Sequence, residues 1–252
     1  MLQEERLTKI LDRLAAEGRV LSAPLAAWLG VSEDTIRRDL AELSQRGQLR
    51  RVHGGAVPVA TVHPEFKVRS AEHLGEKDRI AEEAVRLMRP GQLIFLDAGT
   101  TVLALARHFP RNLSATVVTH STVTATTLAD WPNLEVLLIG GKLFKPGLST
   151  IGPEAVAGYQ RMRADICFLG VCAIHAEFGL TELTYDESLV KQAMIRQSSQ
   201  TVALGAGDKF GVTANFEVAP ASAVDRVLTD ATAPKNAVQA LRAAGVAVEV
   251  IR

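Results

Sequence analysis

The sequence contains no long apolar run and very little cysteine. No apolar stretch approaches the roughly 20 residues that a membrane-spanning helix requires, so we expect no membrane partner. The two cysteines, Cys167 and Cys172, have no nearby ligand-type partner. This argues against a zinc site and a disulfide framework, and we interpret both as small core residues. Residues 1–6 are too charged for a secretion signal, so we expect a cytoplasmic protein.

The chain also has no net charge at pH 7. The 28 lysine and arginine residues balance 28 aspartate and glutamate residues, so any contact with nucleic acid must depend on a local basic patch. The chain is 47% hydrophobic and 22% charged, which excludes a disordered or collagen-like protein. Its 252 residues suit one small domain and one larger domain.

Residues 1–58 have the pattern of a small helical domain with a hairpin at its end. Apolar residues at helical spacing predict a first helix with the buried face Leu7, Ile10, Leu11 and Leu14. Ser22 and Ser32 are expected to cap two further short helices on either side of a turn at Gly30. Two such helices are typical of a helix-turn-helix, and the strand-like runs that flank Gly54-Gly55 predict a hairpin, or wing, behind it.

The third helix is the expected DNA-reading element. If it buries Ile36, Leu40 and Leu43, its polar side chains face outward, where they can reach base edges in the major groove. A lone arginine pair on an amphipathic helix can instead be merely solvated, but here it coincides with a capped helix and a basic wing, which favours DNA. The predicted DNA-binding residues are Ser32, Thr35, Arg37, Arg38, Arg46, Arg50, Arg51 and His53.

The remainder of the chain has the pattern of an α/β domain. Helical stretches alternate with apolar runs at 93–96, 116–119, 136–139, 166–171, 202–204, 227–229 and 246–251. This alternation predicts a mostly parallel sheet with helices on both faces. We therefore divide the chain into a DNA-binding domain (1–58), a linker (59–75) and an α/β domain (76–252).

Two loops of the α/β domain have the character of anion sites. The small-residue turn 97–101 opens a helix, where backbone N–H groups and the positive end of the helix dipole favour an anion. Gly140-Gly141-Lys142 offers a close backbone approach and a cation after another strand. Either loop alone can be a plain turn. Together with Thr119, Lys191 and Lys209 near other strand or helix ends, they favour a phosphorylated ligand at the carboxyl edge of the sheet.

The first 58 residues resemble the DNA-binding domain of the DeoR family of bacterial transcription regulators. The matching positions are Glu5-Arg6, Ile10-Leu11, Leu25-Ala26, Val31-Ser32, Thr35-Ile36-Arg37-Arg38-Asp39-Leu40, Leu43, Gly47 and Arg51-Val52-His53-Gly54-Gly55-Ala56. The number of matches at fixed spacing makes this resemblance highly specific.

The larger domain resembles the sensor domain of the same family. That domain is similar in fold to ribose-5-phosphate isomerase and responds to phosphorylated sugars or their metabolites. The matching elements are Asp97-Ala98-Gly99-Thr100-Thr101, Gly140-Gly141, Ile151-Gly152-Pro153, Asp165, Phe168-Leu169-Gly170, Gly179-Leu180-Thr181, Glu187, Lys191, Lys209-Phe210-Gly211 and Thr229-Asp230. The resemblance implies an effector pocket lined by Asp97, Gly99, Thr100, Thr101, Gly141, Lys191 and Lys209.

The chain departs from the family pattern around this expected pocket. His120 stands where the family has asparagine, Ala173 replaces a glycine, and 206–209 reads Ala-Gly-Asp-Lys in place of Asp-x-Ser-Lys. His120 either donates or accepts a hydrogen bond with the ligand or simply fills space. We add Thr119, His120 and Lys142 to the candidate effector-binding residues.

The competing interpretation is a phosphosugar isomerase-like enzyme that carries a DNA-binding domain. Isomerisation requires a base and groups that stabilise an enediolate. The loop 170–175 has no carboxylate, whereas the fold-related isomerase has acids there, and Glu177 and Glu182 are interpreted as solvated. Fold kinship alone does not carry function, and no catalytic, metal-ligating or cofactor motif is evident.

We therefore predict a transcription regulator, a repressor of carbohydrate or related metabolic genes. Its expected partners are a double-stranded DNA operator, a phosphorylated sugar effector, and further copies of the chain in a homodimer or homotetramer. A purely structural module would not explain both the basic wing and the phosphate-type loops.

Overall fold

The computed structural model describes residues 1–60 and 65–252, and its N-terminal part is a winged helix-turn-helix. Its elements are α1 (Gln3–Glu17), β1 (Val20–Leu21), α2 (Ser22–Leu29), α3 (Glu33–Gln45), β2 (Leu49–Val52) and β3 (Gly55–Pro58). The three short strands form an antiparallel sheet in the order β1-β3-β2. The predicted apolar faces of α1 and α3 meet in one core, which confirms the predicted architecture of this domain.

Local signals account for the ends of these helices. The Ser32 hydroxyl caps α3 by accepting a hydrogen bond from the Thr35 N–H over 3.2 Å, as the sequence predicted. Ser22 is the first residue of α2 and does not cap it, because the N-cap position falls on Leu21. The wing depends on Gly55, where an added Cβ would lie 1.9 Å from the Val20 carbonyl oxygen. Strand β1 therefore pairs with β3 only when this position is glycine.

The larger part of the chain is built on a seven-stranded parallel sheet in the order β15-β14-β12-β9-β4-β5-β6. Its strands are β4 (Leu93–Leu96), β5 (Ala115–Thr119), β6 (Leu134–Leu138), β9 (Ile166–Gly170), β12 (Thr201–Leu204), β14 (Arg226–Asp230) and β15 (Val248–Ile251). Each of them contains or overlaps one of the predicted apolar runs. The expected α/β architecture is confirmed.

Helices cover both faces of this sheet and complete two apolar cores. They are α4 (Phe66–Ala71), α5 (Leu74–Val85), α6 (Thr100–Arg107), α7 (Thr122–Leu128), α8 (Pro153–Gln160), α9 (Tyr185–Arg196) and α10 (Lys235–Ala243). In the part of the chain that the structure describes, no helix is both long and apolar enough to cross a membrane.

Two small antiparallel units, which the sequence did not predict, decorate the carboxyl edge of the sheet. One is the hairpin of β7 (Lys142–Phe144) and β8 (Ser149–Ile151). The other contains β10 (Ala173–His175), β11 (Gly179–Glu182) and β13 (Phe216–Ala219) in the order β10-β11-β13. The second unit brings β11 back toward the end of β9.

The predicted linker 59–75 is partly helical. Its residues 61–64 lie outside the described part of the chain, whereas residues 66–71 form α4. Phe66 is buried and its N–H donates to the Pro146 carbonyl over 2.9 Å. This contact attaches α4 to the α/β domain.

The topology creates a crevice between β4 and β9. From β4 the chain proceeds to β5 and β6 on one side, and then crosses to β9, β12, β14 and β15 on the other. At such a switch point the connections leave the two neighbouring strand ends in opposite directions, so a cleft opens beyond their carboxyl ends. Asp97 follows β4 and Val171 follows β9, which places both at this cleft.

Candidate functional site

The outer face of α3 presents two exposed arginines. The Arg37 and Arg38 side chains retain 62% and 78% of their accessible surface. Each forms an ion pair one helical turn back, Arg37 with Glu33 over 3.5 Å and Arg38 with Asp34. Solvent screens such exposed pairs and makes them weak, so a DNA phosphate or a guanine edge can replace the carboxylate. Both arginines lie opposite the buried face of α3, as the helical spacing predicted.

A buried ion pair fixes the position of α3 on α1. The Arg6 guanidinium donates from Nε and Nη2 to the two Asp39 carboxylate oxygens, over 2.5 and 2.8 Å. Asp39 is only 1% exposed. A bidentate pair sets orientation as well as distance, so it aligns the Arg37 and Arg38 face relative to the rest of the domain. Arg6 and Asp39 both belong to the matching family positions, but no signal in the sequence pairs them.

The structure separates the other predicted DNA-binding residues into two groups. Arg51 and His53 are exposed on the wing, and Ser32 and Thr35 lie at the N-terminus of α3. Arg46 contacts Glu4 over 2.9 Å and Glu42 over 2.5 Å. Residues 46–53 contain no aspartate or glutamate, but the folded chain places two glutamates from other segments next to Arg46. Arg50 is turned toward the α/β domain, where its Nη2 donates to the Ala214 carbonyl over 2.8 Å.

We expect Arg37→Ala and Arg38→Ala to weaken operator binding without unfolding the domain. A base-reading arginine contributes on the order of 1–3 kcal/mol, and its loss relaxes specificity at one base position. Arg51→Ala, on the wing, is expected to weaken binding to all sequences and to reduce the salt dependence. The measurement is fluorescence anisotropy at several salt concentrations, with an operator recovered by selection of bound genomic fragments. Wild-type affinity in both helix variants would show that α3 reads DNA through another face.

The cleft beyond β4 and β9 forms a pocket. It gathers many of the predicted effector-binding residues, namely Asp97, Gly99, Thr100, Thr101, His120, Lys191 and Lys209. The first turn of α6 faces it, and its N–H groups have no side-chain cap, so they are available to an anion. Of the residues that the structure describes, no group of three or more His, Cys, Asp or Glu is placed to hold a metal ion.

Three predicted effector-binding residues lie outside the lining of this pocket. Thr119 is fully buried, and its hydroxyl oxygen accepts the Ser121 N–H over 3.1 Å, so it shapes the turn after β5. Gly141 packs against β8, where an added Cβ would lie 2.7 Å from the Ile151 carbonyl oxygen. Lys142 is exposed on β7. The loop after β6 therefore serves the β7–β8 hairpin.

The floor of the pocket is a buried charge cluster centred on Lys191. Its ammonium donates to the Gly170 carbonyl over 2.7 Å, lies 3.2 Å from Asp97 Oδ2 and forms a short contact with Glu182. Glu182 is only 2% exposed, so the expectation that it is solvated is wrong. Two carboxylates surround one ammonium, and the cluster carries net negative charge.

Asp97 is ionised in this cluster because its neighbours overcome the effect of burial. Burial by itself raises the pKa of a carboxyl group. Lys191, His120 and the N–H groups of Ala98 and Gly170 together lower the pKa of Asp97 below its ordinary value. The Gly170 N–H donates to Asp97 Oδ2 over 2.8 Å. In the opposite direction, Asp97 and Glu182 raise the pKa of Lys191 although burial opposes this.

His120 joins the pocket to a buried tyrosine. Its Nδ1 lies 2.8 Å from the Tyr159 hydroxyl, and its Nε2 lies 3.6 Å from Asp97 Oδ1. The residue is 3% exposed and lines the pocket. Burial lowers the pKa of His120, with a smaller opposing effect from Asp97. A neutral imidazole that accepts from Tyr159 at Nδ1 carries its hydrogen on Nε2, beside the Asp97 carboxylate.

We expect the free energy of unfolding to decrease as the pH falls below about 6.5, and His120 to contribute to this loss. The folded pKa of His120 is lowered, so the unfolded chain binds a proton that the folded chain excludes, and stability is lost on acidification. His120→Asn is expected to reduce this slope. Urea unfolding at pH 7.5 and 5.5 measures it, and the unchanged His175, whose pKa burial also lowers, contributes equally to both proteins. Identical slopes would contradict the assignment.

The pocket is also lined by residues that were not among the predicted effector-binding residues. They are Ala60, Arg69, Glu72, His73, Lys77, Val171, Cys172, Glu182, Leu183, Glu187 and Asp208. Cys172, expected to be a core residue, is thus at the pocket, whereas Cys167 is buried. Glu182 directly follows the matched Gly179-Leu180-Thr181, which was an available signal. The lining residues from the predicted linker, Ala60, Arg69, Glu72 and His73, had no such signal in the sequence.

Cations lie on the linker side of the rim. The buried Lys77 ammonium donates to the Arg69 and Glu72 carbonyls over 2.5 and 2.6 Å. Lys209 pairs with Asp208 over 2.7 Å, and both side chains are partly exposed. Burial lowers the pKa of Lys77, with Lys209 acting in the same direction. The rim therefore differs from the floor. Lys77 is held by neutral backbone carbonyls, and Lys209 by a partly exposed ion pair with Asp208.

Comparison with known proteins places both parts of the chain in one family. Residues 6–62 match the DeoR-like helix-turn-helix domain, and residues 72–231 match the DeoR C terminal sensor domain. The chain is 36% identical over 251 residues to the HTH-type transcriptional regulator GlpR of Haloferax volcanii, which covers 98% of each chain. It is 32% identical to the glycerol-3-phosphate regulon repressor of Escherichia coli strain K12, over 242 residues and 96% of each chain.

Two solved structures match less closely than these relatives. A probable sor operon regulator from Shigella flexneri is 12% identical, covers 80% of this chain and 97% of its own, and has a TM-score of 0.45. A ribose 5-phosphate isomerase from Methanocaldococcus jannaschii is 16% identical with a TM-score of 0.39, over 54% of this chain and 53% of its own. The two domain matches, together with the near full-length relatives, show that this chain is a DNA-binding transcription regulator and belongs to the DeoR family.

Proposed function

We propose that this regulator is a repressor whose operator binding is controlled by a phosphorylated sugar or a similar small metabolite. The observation that supports the ligand class is the division of charge in the pocket. The floor, around Asp97, Glu182 and Lys191, is net negative. The rim combines the uncapped first turn of α6 with Lys77 and Lys209. One ligand end is therefore anionic and the other neutral and rich in hydroxyl groups.

This division also sets the orientation of the proposed ligand. Because two carboxylates already neutralise Lys191, the phosphate belongs at the rim, on the N–H groups of Thr100 and Thr101 and near Lys209. Ligand hydroxyls then donate to Asp97 at the floor and accept from the His120 Nε2–H. In this proposal Lys191 is not a phosphate ligand but the group that holds Asp97 and Glu182 in place. The name of the Escherichia coli relative, a repressor of the glycerol-3-phosphate regulon, supports the ligand class.

The test is release of selected DNA by candidate ligands. Genomic fragments bound by the full-length protein are recovered, and each is then challenged with sugar phosphates and with the same sugars lacking phosphate. We expect release by one phosphorylated compound and none by its unphosphorylated counterpart. If no specific fragment is recovered, the proposal that the protein represses a specific operator is contradicted. Turnover of ribose 5-phosphate by the purified protein would favour the isomerase alternative, because Asp97 and Glu182 do supply carboxylates at the pocket.

We expect the protein to bind DNA as a dimer or larger assembly in the cytoplasm, where its operator would be. A single winged module offers few phosphate contacts, because Arg46 and Arg50 are engaged elsewhere, and tight binding generally needs two modules on neighbouring half-sites. Sedimentation velocity should show a dimer or a tetramer, and footprinting should show repeated half-sites. A stable monomer that protects one half-site would contradict this expectation.

A further inference from the structure

The chain that leaves the wing forms part of the pocket wall. Ala60, two residues after β3, lines the pocket, as does Lys209. Its N–H donates to the Thr213 carbonyl over 2.8 Å, and the Thr213 N–H donates back to the Pro58 carbonyl over 3.2 Å. These two hydrogen bonds make a short parallel bridge between Val59 and Thr213. The DNA-binding domain is therefore attached to the sensor domain at the edge of the ligand site.

A second contact reinforces this attachment from the wing itself. Arg50 of β2 donates from Nη2 to the Ala214 carbonyl over 2.8 Å, and its guanidinium lies 5.4 Å from the centre of the Phe178 ring. A guanidinium over an aromatic face adds a cation–π attraction. A wing arginine that the sequence assigned to DNA phosphate is thus held by the sensor domain in this conformation.

The sensor-domain segment that receives both contacts begins in the pocket. Asp208 and Lys209 line the pocket at one end of it, and Thr213 and Ala214 contact the wing at the other. Between them, Phe210 is buried, and the Gly211 N–H donates to the Ile174 carbonyl over 2.9 Å. The segment is therefore packed along its length rather than loosely tethered.

The same segment is also connected to the charged floor of the pocket. The Ala214 N–H donates to the Thr181 hydroxyl over 2.8 Å, and Thr181 immediately precedes Glu182, which contacts Lys191. A change in the position of Glu182 or Lys209 therefore reaches Ala214 through directly bonded or hydrogen-bonded neighbours. This is a contiguous physical connection between the pocket and the wing.

We propose that segments 58–60 and 208–214, together with Arg50 and Phe178, form a clasp that couples ligand binding to the wing. This inference rests on the proposed sensor function. A ligand that touches Ala60 and Lys209 contacts both sides of the clasp, so it binds the clasped state more tightly than the open state and favours it. The clasped state withholds Arg50 from DNA, so ligand binding lowers DNA affinity, as release of a repressor requires.

Hydrogen exchange in the full-length protein tests whether the clasp exists, without a known operator or ligand. We expect the Ala60 and Thr213 amides to be protected in the wild-type protein. Phe178→Leu keeps an apolar side chain but removes the ring face, and it should speed exchange of both amides about two- to fivefold, the range of an exposed cation–π contact. Tyr185→Leu changes an aromatic residue of the sensor domain that is exposed and packs on Phe216, and it should leave both amides unchanged.

Coupling to DNA and ligand is tested with the same two variants. Phe178→Leu should tighten binding to a random-sequence duplex about two- to fivefold by freeing Arg50, and Tyr185→Leu should not. Excess inorganic phosphate, the ligand probe, should slow exchange of the Ala60 amide. Unprotected Ala60 and Thr213 amides in the wild type, or equal DNA affinity in both variants, would overturn the clasp while leaving the sensor function intact. If phosphate binds but does not slow exchange of the Ala60 amide, the coupling is wrong and the clasp stands. If phosphate does not bind, both the proposed sensor function and the coupling are contradicted.

Discussion

Lys191→Met should destabilise the sensor domain by about 3–5 kcal/mol, the usual cost of breaking a buried ion pair by removal of one partner. The ammonium touches Asp97, Glu182 and the Gly170 carbonyl, and the Lys191 side chain is only 11% exposed. Methionine fills a similar volume but leaves two buried carboxylates facing each other without a cation. Urea unfolding in a Trp28→Phe background measures the effect, because Trp131 is then the remaining tryptophan and reports on the sensor domain.

Two further measurements separate this mechanism from a simple packing defect. Lys142→Met changes an exposed lysine of the same domain and should alter the free energy of unfolding by less than about 0.5 kcal/mol. The loss in Lys191→Met should shrink as the pH falls, because without the ammonium Asp97 is protonated more readily, and its protonation relieves the repulsion in the folded state. A loss below about 1 kcal/mol, or one that does not vary with pH, would show that Lys191 does not hold this cluster together.

Thr100→Asp is expected to abolish the response to ligand while DNA binding without ligand survives. Thr100 is the first residue of α6, and its N–H group belongs to the uncapped turn that faces the pocket. A carboxylate there occupies the position proposed for the phosphate, repels it and satisfies the N–H groups that would bind it. Helix α3 and the exposed wing residues Arg51 and His53 lie in the other domain, so operator affinity should remain close to that of the wild type.

Calorimetry against a panel of sugar phosphates provides the measurement, and Thr100→Val provides the matched control. Valine has nearly the shape of threonine but adds no charge, so it should weaken ligand binding by about 1 kcal/mol, the contribution of one hydrogen bond. The aspartate variant should show no binding. Equal affinity in wild type and Thr100→Asp would exclude the α6 N-terminus from the ligand site.

The fold of this chain could be predicted from its sequence because the decisive signals are local. Period-four apolar spacing in α1 and α3, the Ser32 cap and the Gly54-Gly55 turn each act over a few residues. The inner strands β4, β9 and β12 of the parallel sheet are buried on both faces, so each stands out as a short apolar run between helices. The loop 97–101 was recognised for the same reason: a strand, a small-residue turn and a helix are neighbours in the chain.

The make-up of the candidate site was decided by contacts between residues far apart in sequence. Glu182 looked solvated in a polar stretch, but β11 returns it to Lys191 and buries it. Gly141 and Lys142 looked like a second anion loop, yet they turn into the β7–β8 hairpin. Neither outcome has a local signal, because each depends on which strands pair beyond the main sheet.

The wing shows the same division between local pattern and tertiary contact. The sequence by itself determined that Arg50, Arg51 and His53 lie on a short basic hairpin, since strand spacing and the glycine turn are local properties. Only the tertiary structure decided that Arg51 and His53 are exposed while Arg50 contacts Phe178 and Ala214. Charge and periodicity specify where a side chain sits on its own element. The partner of a side chain is set by the packing of other elements. Here that packing places the wing and the start of the linker in contact with residues 213–214, next to the pocket.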